Sequence, residues 1–512
     1  MDCKKDELLK GHENLLSIIW GNIFKYNLQL NKLSENEEFF GKENFGNIID
    51  FYLTSHALSF LKNILLDNFQ SQGIFLSARC FLEGLALKRM YQKGKITDLQ
   101  IELLKKQVHI IEFNYYKDFK DISETILIPE KIIKDYEDSK SFFINKLSNE
   151  YKENDIEKFL KSDIPFLCVK RANHRRTIEE YLGKDFSQLY GLFSQVIHPS
   201  ANNTHSNEEL QNYLFMILSL IIDEYKTLQI SNLDFSLYKN NIYESKTSKE
   251  YLDIVKRERD CLNEIVNEFQ NKFGNNYVSN TLKSISVLID DMCSDKLLGL
   301  CESVKSKWKV VLELFSFFPK CYDGIKEERY KLLCEHQRYQ VYRNVGKDYS
   351  LDDAYKYYKN LYVNGVDKQK FKNGFESLVG FLIDENGKSE NITKIVKEYT
   401  SRFSPNDEKI TFGWDRAMIL NYVESQMVSH ANGYLWYANS GSWGDINSVI
   451  IGTDICLIWM FNHILQIYQL HKAIEQSDAY IRIINCLESG IKTIKLLIPE
   501  KEKNFKAPAV KL

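Results

Sequence analysis

The chain has 512 residues, 44% of them hydrophobic, which is long enough for more than one core, because single hydrophobic cores stop growing at roughly 250–300 residues. Its formal net charge of −3 excludes a global basic field of the kind that captures nucleic acids, but leaves room for a local basic patch. Only 7 prolines occur, so long periodic stretches run uninterrupted, and they predict an all-α protein.

The first predicted elements are long amphipathic helices. Hydrophobic residues at helical spacing predict helices over residues 5–31, 47–68, 73–94 and about 98–119. In the first helix, Leu15, Ile18 and Ile19 are expected to face the core. Gly94 is expected to end the third helix, and Pro129 interrupts the pattern that follows the fourth.

Further along the chain, helix boundaries are marked by capping patterns. Thr177 and Glu180 have capping-box spacing, which predicts a helix start at Thr177, and Gly183 predicts the end of that helix. Asp185 is expected to cap the next helix, which runs to His198.

Cysteine usage and the apolar segments bear on location. The ten cysteines include no C-x-x-C pair, so they predict reduced thiols, no zinc site and a cytoplasmic protein. The charged start "MDCKKDELLK" does not resemble a signal peptide. The most apolar stretch, "VIIGTDICLIWMFNHILQIY", contains Asp454 and His463, which favours a buried core helix over a membrane span.

Similar landmarks recur in both halves of the chain, in the same order and at nearly constant separation. The segment "SARCFLEGLALKRMYQ" from Ser77 has a counterpart in "SKWKVVLELFSFFPKCY" from Ser306. Further on, "SQVIHPSANN" from Ser194 has a counterpart in "SQMVSHANG" from Ser425. We therefore expect two diverged copies of one helical-bundle domain, packed as an intramolecular pseudo-dimer. The expected divisions are copy one over 1–235, a linker over 236–250, copy two over 251–485, and a tail over 486–512.

The first candidate site residues lie one helical turn apart in copy one. Arg79 and Glu83 sit in an apolar helix, where charges are costly unless they are paired. Lys309 and Glu313 repeat the spacing in copy two, with a cation that cannot form a bidentate pair. Two interpretations of these pairs remain open, a structural salt bridge and a ligand-binding pair.

A histidine ends the helix that follows in copy one. His198 stands directly before Pro199, where the negative end of the helix dipole favours its protonated form, and Ser194 lies one turn earlier. Three interpretations remain open for His198: a helix cap, a group that binds phosphate or transfers protons, and a metal ligand. No further metal ligands stand at a recognisable spacing, so no metal and no other cofactor is expected.

Additional ligand-binding candidates come from a basic cluster and from copy two. "KRANHRRT" contains Arg175 and Arg176 directly before the histidine helix, where their positive charge could serve a phosphate ligand or remain a solvated loop. Ser425 and His430 close the corresponding helix of copy two. His430 falls one position later than His198 in the comparison of the copies, so the two imidazoles need not face the same way.

"LSARCFLEGLALKRMY" together with "YGLFSQVIHPSA" resembles a prokaryotic all-helical domain family of unknown function, over about residues 50–230. Members of that family carry an Arg-x-x-x-Glu helix and a later Ser-x-x-x-His-Pro-Ser segment. Copy two departs from this pattern, since lysine replaces the arginine and "VSHAN" replaces His-Pro-Ser.

More distantly, the helical layout is similar to HEPN domains, which occur in toxins and antiviral defence proteins. Active HEPN ribonucleases pair two protomers and use Arg-x4–6-His, but no arginine stands four to six residues before His198. The one formal match, from Arg329 to His336, lies in a different helix and has no counterpart in copy one. The resemblance therefore implies a fold and a cellular context.

Two classes of function follow. In the first, the chain is a defence- or toxin-like effector that binds or cleaves RNA or a nucleotide, with His198 as acid–base group, Arg79 as charge stabiliser and Glu83 as orienting residue. Such an enzyme would be a metal-independent ribonuclease or nucleotide hydrolase. In the second, it is a non-catalytic interaction or ligand-sensing module, and the buried polar pairs only stabilise its helices. Its partner would then be a protein encoded nearby or a second copy of the chain, and no membrane partner is expected.

Overall fold

The computed structural model describes the following parts of the chain: residues 2–34, 36–66, 71–120, 128–149, 151–160, 174–197, 207–228 and 277–322, with single positions between 260 and 271 and at 396, 422 and 425. These residues form helices and turns and no strand, which confirms the all-α prediction for the described part of the chain. The helices are α1 Asp2–Leu33, α2 Phe45–Leu65, α3 Gln72–Gln92, α4 Asp98–Lys120, α5 Glu130–Leu147, α6 Glu153–Leu160, α7 His174–Leu182, α8 Lys184–Ile197, α9 Asn207–Tyr225, α10 Tyr277–Leu297 and α11 Cys301–Tyr322.

The hairpin of α2 and α3 forms the centre of the core. Every residue of α2 from Ile48 to Ile64 is buried except Asp50, as an internal helix requires. Ser71 caps α3 by accepting a hydrogen bond from the N–H of Gly73 at 3.0 Å. Gly94 follows the helix with a φ of +64°, which confirms that the helix ends there.

Helices α1, α7, α8 and α9 pack around this hairpin. Helix α1 packs on α2, α7 and α8 pack on α3, and α9 contacts α1 and α3. Polar contacts fix these layers: Tyr26 donates to Asp50 Oδ2 at 2.9 Å, and the Lys88 ammonium bridges Asp50 at 2.6 Å and Glu224 of α9 at 2.7 Å.

A smaller core lies beside the main one. Helices α4, α5 and α6 enclose a separate apolar cluster that includes Ile110, Phe143 and Ile156. Helix α5 begins directly after Pro129, whose missing N–H costs nothing at a helix start. The interruption predicted at this proline is thus confirmed.

Helices α10 and α11 join the central hairpin directly. Trp308 and Val311 of α11 belong to the same core as α2 and α3, and α10 contacts α3 while α11 contacts both. The predicted linker over 236–250 and tail over 486–512 lie outside the described residues.

Several local predictions need correction. In α1, Ile19 is buried as predicted, but Ile18 is 61% exposed, Leu15 is also exposed, and Leu16 is buried in their place. Helix α7 begins at His174, which places Thr177 within its first turn instead of at a cap. Gly183 does end α7, with a φ of +104° and an N–H that donates to Ile178 and Glu179.

None of the described helices is both long and apolar enough to cross a membrane.

Candidate functional site

The predicted pair on α3 is a buried ion pair. Nε of Arg79 lies 3.7 Å from Oε1 of Glu83, and the two side chains are 3% and 0% exposed. Burial disfavours the charge on Arg79, but the Glu83 carboxylate, together with Cys80, Tyr190 and Tyr52, outweighs this cost and holds the arginine pKa above its usual value. The guanidinium charge of Arg79 therefore persists inside the core.

A histidine from another helix shares the same carboxylate. Nδ1 of His174, the first residue of α7, lies 3.7 Å from Oε2 of Glu83, and its side chain is 11% exposed. The carboxylate thus stands between a guanidinium and an imidazole. At this distance the Glu83 carboxylate attracts the ring of His174 whenever the ring is protonated.

Helix α8 contributes a tyrosine and a serine. The ring of Tyr190 lies 6.5 Å from that of His174, measured between centroids. Burial, and then the charge of Glu83, raise the pKa of Tyr190 well above its usual range, while Arg79 and, to a lesser extent, the hydroxyl of Ser194 partly offset this increase. The structure therefore brings together three of the four predicted copy-one residues, Arg79, Glu83 and Ser194, and adds His174 and Tyr190.

The fourth predicted residue, His198, lies outside the described residues, as does the predicted residue His430. Helix α8 is described as far as Ile197, but it begins at Lys184, which places Asp185 in its first turn instead of at the predicted cap.

The basic cluster stands at the solvent side of this site. Arg175 and Arg176 follow His174 in the first turn of α7 and are exposed. That turn contains no acidic residue. The N-terminal end of a helix carries partial positive charge from its backbone N–H groups, so three cationic or potentially cationic side chains and a helix dipole coincide here.

The predicted copy-two residues are buried on α11 and near it. Lys309 and Glu313 lie one turn apart with little exposure, and the hydroxyl of Tyr422 donates to Oε1 of Glu313 at 3.3 Å. Ser425 is also buried, and its hydroxyl donates to the carbonyl of Tyr422 at 2.8 Å. A glutamate beside a tyrosine is thus present in both halves, on α3 and on α11.

A second group of buried charges was not predicted. Lys62 of α2, Asp291 and Asp295 of α10 and Lys307 of α11 form what we term the joint cluster. Each ammonium contacts both carboxylates, at 2.6 Å for Asp291 and 2.5 Å for Asp295. Burial opposes ionisation of Asp291, but the ammonium groups of Lys307 and Lys62 outweigh it and hold its pKa well below the usual range.

One buried histidine lies between these two polar groups. His56 of α2 is fully buried, and neither ring nitrogen has a hydrogen-bond partner among the described protein atoms. Its ring contacts that of Tyr52 at 4.5 Å. Burial, and then the charge of Lys307, lower the pKa of His56 to about 3, so its imidazole is neutral at physiological pH.

The sequence carried partial signals for the residues that were missed. Ser55, Ser59 and Lys62 follow helical spacing within the apolar stretch "FYLTSHALSFLKNILL", and Asp291 and Asp295 stand four residues apart on α10. Such spacing marks a polar seam on a buried helix, but it does not reveal which distant helix supplies the opposite charge.

Within the described part of the chain, no group of three or more histidine, cysteine, aspartate or glutamate side chains is arranged to hold a metal ion. Cys80 is a buried thiol, and burial raises its pKa to about 11, so it is not a thiolate at neutral pH.

Comparison with known proteins identified no relative: no family model, no curated protein and no solved structure matches the chain.

Proposed function

We propose that the chain is a defence- or toxin-like effector that binds a phosphate-containing ligand, RNA or a nucleotide, at the start of α7. The observation that carries this proposal is the 3.7 Å approach of Glu83 to His174, which fixes an imidazole beside two exposed arginines. Phosphate is the ligand class that such a combination of cations and a helix N-terminus favours.

Each polar residue has a distinct role in this proposal. Arg175 and Arg176 attract the ligand and contact phosphate, and His174 donates a hydrogen bond to it. Arg79 and Glu83 are too deeply buried to meet a large ligand, so they act as positioning residues through His174. His198 remains the proposed acid–base group if the ligand is cleaved, in a reaction that needs no metal ion.

We also propose that the chain is a tandem pseudo-dimer of HEPN-like bundles. Helix α3 begins at Gln72 and α11 at Cys301, and this separation equals the one between Ser77 and Ser306 in the sequence repeat. Each helix carries its cation and its glutamate at the same spacing, and each glutamate lies beside a tyrosine from a later segment. Copy one, with its exposed arginines, is the proposed ligand-binding half.

Binding is tested with the full chain and fluorescently labelled single-stranded RNA or nucleotide, followed by anisotropy over a range of salt concentrations. R175Q/R176Q is expected to weaken RNA binding roughly tenfold or more and to reduce the salt slope for single-stranded RNA by about 1.4, because two arginines no longer neutralise phosphates. The matched control is K131Q/K134Q, which removes two exposed charges from α5 and should bind like the wild type. Equal affinity of the two double variants, or no binding by the wild type, contradicts the proposal.

Cleavage is tested separately. The wild type and His198→Ala are incubated with RNA and nucleotides in the presence of EDTA, and products are separated by chromatography. Turnover that survives EDTA and is lost in the variant supports the proposed role of His198. Turnover that persists in the variant contradicts it.

The second candidate function is a non-catalytic interaction module, and the burial of Arg79 and Glu83 favours it. In that case Arg79, Glu83 and His174 only stabilise the packing of α7 on α3, and α7 binds no ligand. His174→Ala would then lower the melting temperature while R175Q/R176Q changed no binding property. The combination of unchanged stability and lost binding in R175Q/R176Q would favour the ligand-binding proposal instead.

A further inference from the structure

The joint cluster connects two hairpins that are far apart in the sequence. The α2–α3 hairpin contributes Lys62, and the α10–α11 hairpin contributes Asp291, Asp295 and Lys307. All four side chains have little or no exposure to solvent. Taking charges out of water is costly, so the packing of these two hairpins depends on how completely the charges are compensated.

The compensation at the two ammonium groups is complete. Nζ of Lys62 donates to the carbonyl and Oδ1 of Asp291 and to Oδ1 of Asp295. Nζ of Lys307 donates to Oδ1 of Asp291, Oδ2 of Asp295 and the hydroxyl of Ser59. The two carboxylates also accept hydrogen bonds from Ser59, Asn63, Ser71 and Ser303.

Neither hairpin can neutralise its own part of the cluster. The α2–α3 face carries one positive charge, and the α10–α11 face carries two negative charges and one positive charge. Together they sum to zero. Two α2–α3 faces from separate chains would bury two ammonium groups with no carboxylate, and two α10–α11 faces would bury a net charge of −2. Like charges in a buried interface strongly disfavour both pairings.

The position of the cluster strengthens this point. Lys62 and Asp291 are 229 residues apart, which equals the separation between Ser77 and Ser306 in the two proposed copies. Equivalent residues meet close to the axis of a two-fold interface, where a true homodimer would place identical charges opposite each other. The opposite charges found here suit a pairing of two different halves.

We infer that the joint cluster is a specificity determinant, which makes the α2–α3 face select an α10–α11 hairpin over the α2–α3 face of a second copy of the chain. The cluster achieves this because its charges cancel only in the mixed pairing. The inference concerns how the chain recognises itself, and it holds whether or not the chain binds a phosphate ligand.

The first test removes the charges and keeps the shapes. K62M/D291N/D295N/K307M is prepared as the full chain, and its mass is measured by sedimentation velocity at rising concentrations beside the wild type. Because the charge penalty against like faces is gone, the variant is expected to self-associate more than the wild type at equal concentration. K42M/D98N, which removes an exposed ion pair, is the matched control and should behave like the wild type. A folded quadruple variant with the mass distribution of the wild type overturns the inference.

The second test applies even if the quadruple variant does not fold. Lys62→Glu and Asp295→Lys each place like charges together, so each single variant should melt well below the wild type. The exchange K62E/D295K restores a neutral cluster and is expected to recover at least half of the summed loss in melting temperature. A smaller recovery overturns the inference, because charge complementarity would then not govern the pairing of the hairpins.

Discussion

Arg79 and Glu83 form an ion pair on a single turn of α3, with 3.7 Å between Nε and Oε1 and almost no exposure of either side chain. Pairs at this spacing usually lie on helix surfaces, where they contribute a few tenths of a kcal/mol. Here the pair is internal, so its members depend on each other far more strongly than surface charges do.

We therefore expect Arg79→Met to destabilise the protein by about 3–5 kcal/mol, because it leaves the buried Glu83 carboxylate without its guanidinium neighbour. The double variant R79M/E83Q should recover part of the loss. Urea denaturation measures both. Lys226→Met breaks an exposed pair with Asp223 and should change stability by less than about 1 kcal/mol. Equal losses in Arg79→Met and Lys226→Met would show that the buried pair has no special role.

Gly73 is expected to tolerate no side chain. A Cβ at this position would collide with the Asp291 carboxylate and would lie 2.6 Å from Cε of Lys307. Both groups are held by the joint cluster, so Gly73→Ala should cost about 1–3 kcal/mol. Gly21→Ala is the matched control, since Gly21 lies within α1 and a Cβ added there would meet nothing within 4 Å, so it should stabilise by about 0.5–1 kcal/mol. Thermal denaturation measures both variants. A higher melting temperature for Gly73→Ala than for Gly21→Ala would refute the close packing assigned to Gly73.

His56 should make the protein sensitive to acid. Its pKa is about 3 in the folded chain and near 6.5 when unfolded, so the unfolded chain binds more protons between these values. The contribution of neutral His56 to the free energy of unfolding is therefore fully present above pH 6.5. It falls by up to about 1.4 kcal/mol per pH unit as the pH drops from 6.5 towards 3. His56→Leu should reduce this dependence, and it should cost little at pH 7 because no hydrogen bond between the ring and the described part of the chain is lost. Parallel pH profiles of the melting temperature for the two proteins would argue against it.

Glu112 should act in the opposite direction. Burial, and then the charge of Asp135, raise its pKa to about 7, while Lys131 opposes the increase. The folded chain thus binds more protons between pH 4.5 and 7, and this contribution to stability is lost as the pH rises through that window. Glu112→Gln should be more stable relative to the wild type at pH 8 than at pH 4.5. Urea titrations measure the difference in free energy of unfolding between Glu112→Gln and the wild type at each pH. The same difference at pH 4.5 and pH 8 would contradict the assignment.

Local sequence patterns identified much of the fold and part of the site. The i, i+4 spacing of Arg79 and Glu83 in an apolar helix was sufficient to predict a shared face and a polar role. The glycine at Gly94 predicted a helix end because few other residues adopt its positive φ. These features depend on residues within a few turns of one another.

Features that depend on the packing of distant helices were not predictable in the same way. His174 meets Glu83 only because α7 packs across α3, and no local pattern encodes that crossing. Ile18 and Leu16 are both apolar, and the direction from which α2 and α9 pack decides which of them is buried. The carboxylates that neutralise Lys62 lie 229 and 233 residues away.

This last separation has a consequence for the order of events during synthesis. When α2 and α3 emerge from the exit tunnel of the ribosome, Lys62 has been synthesised, but Asp291 and Asp295 have not yet been translated. At about 5–20 residues per second, the nascent chain would wait on the order of ten to fifty seconds for them. We therefore expect the central hairpin to reach its native packing late, and a nascent chain halted before α10 to keep that face available to chaperones.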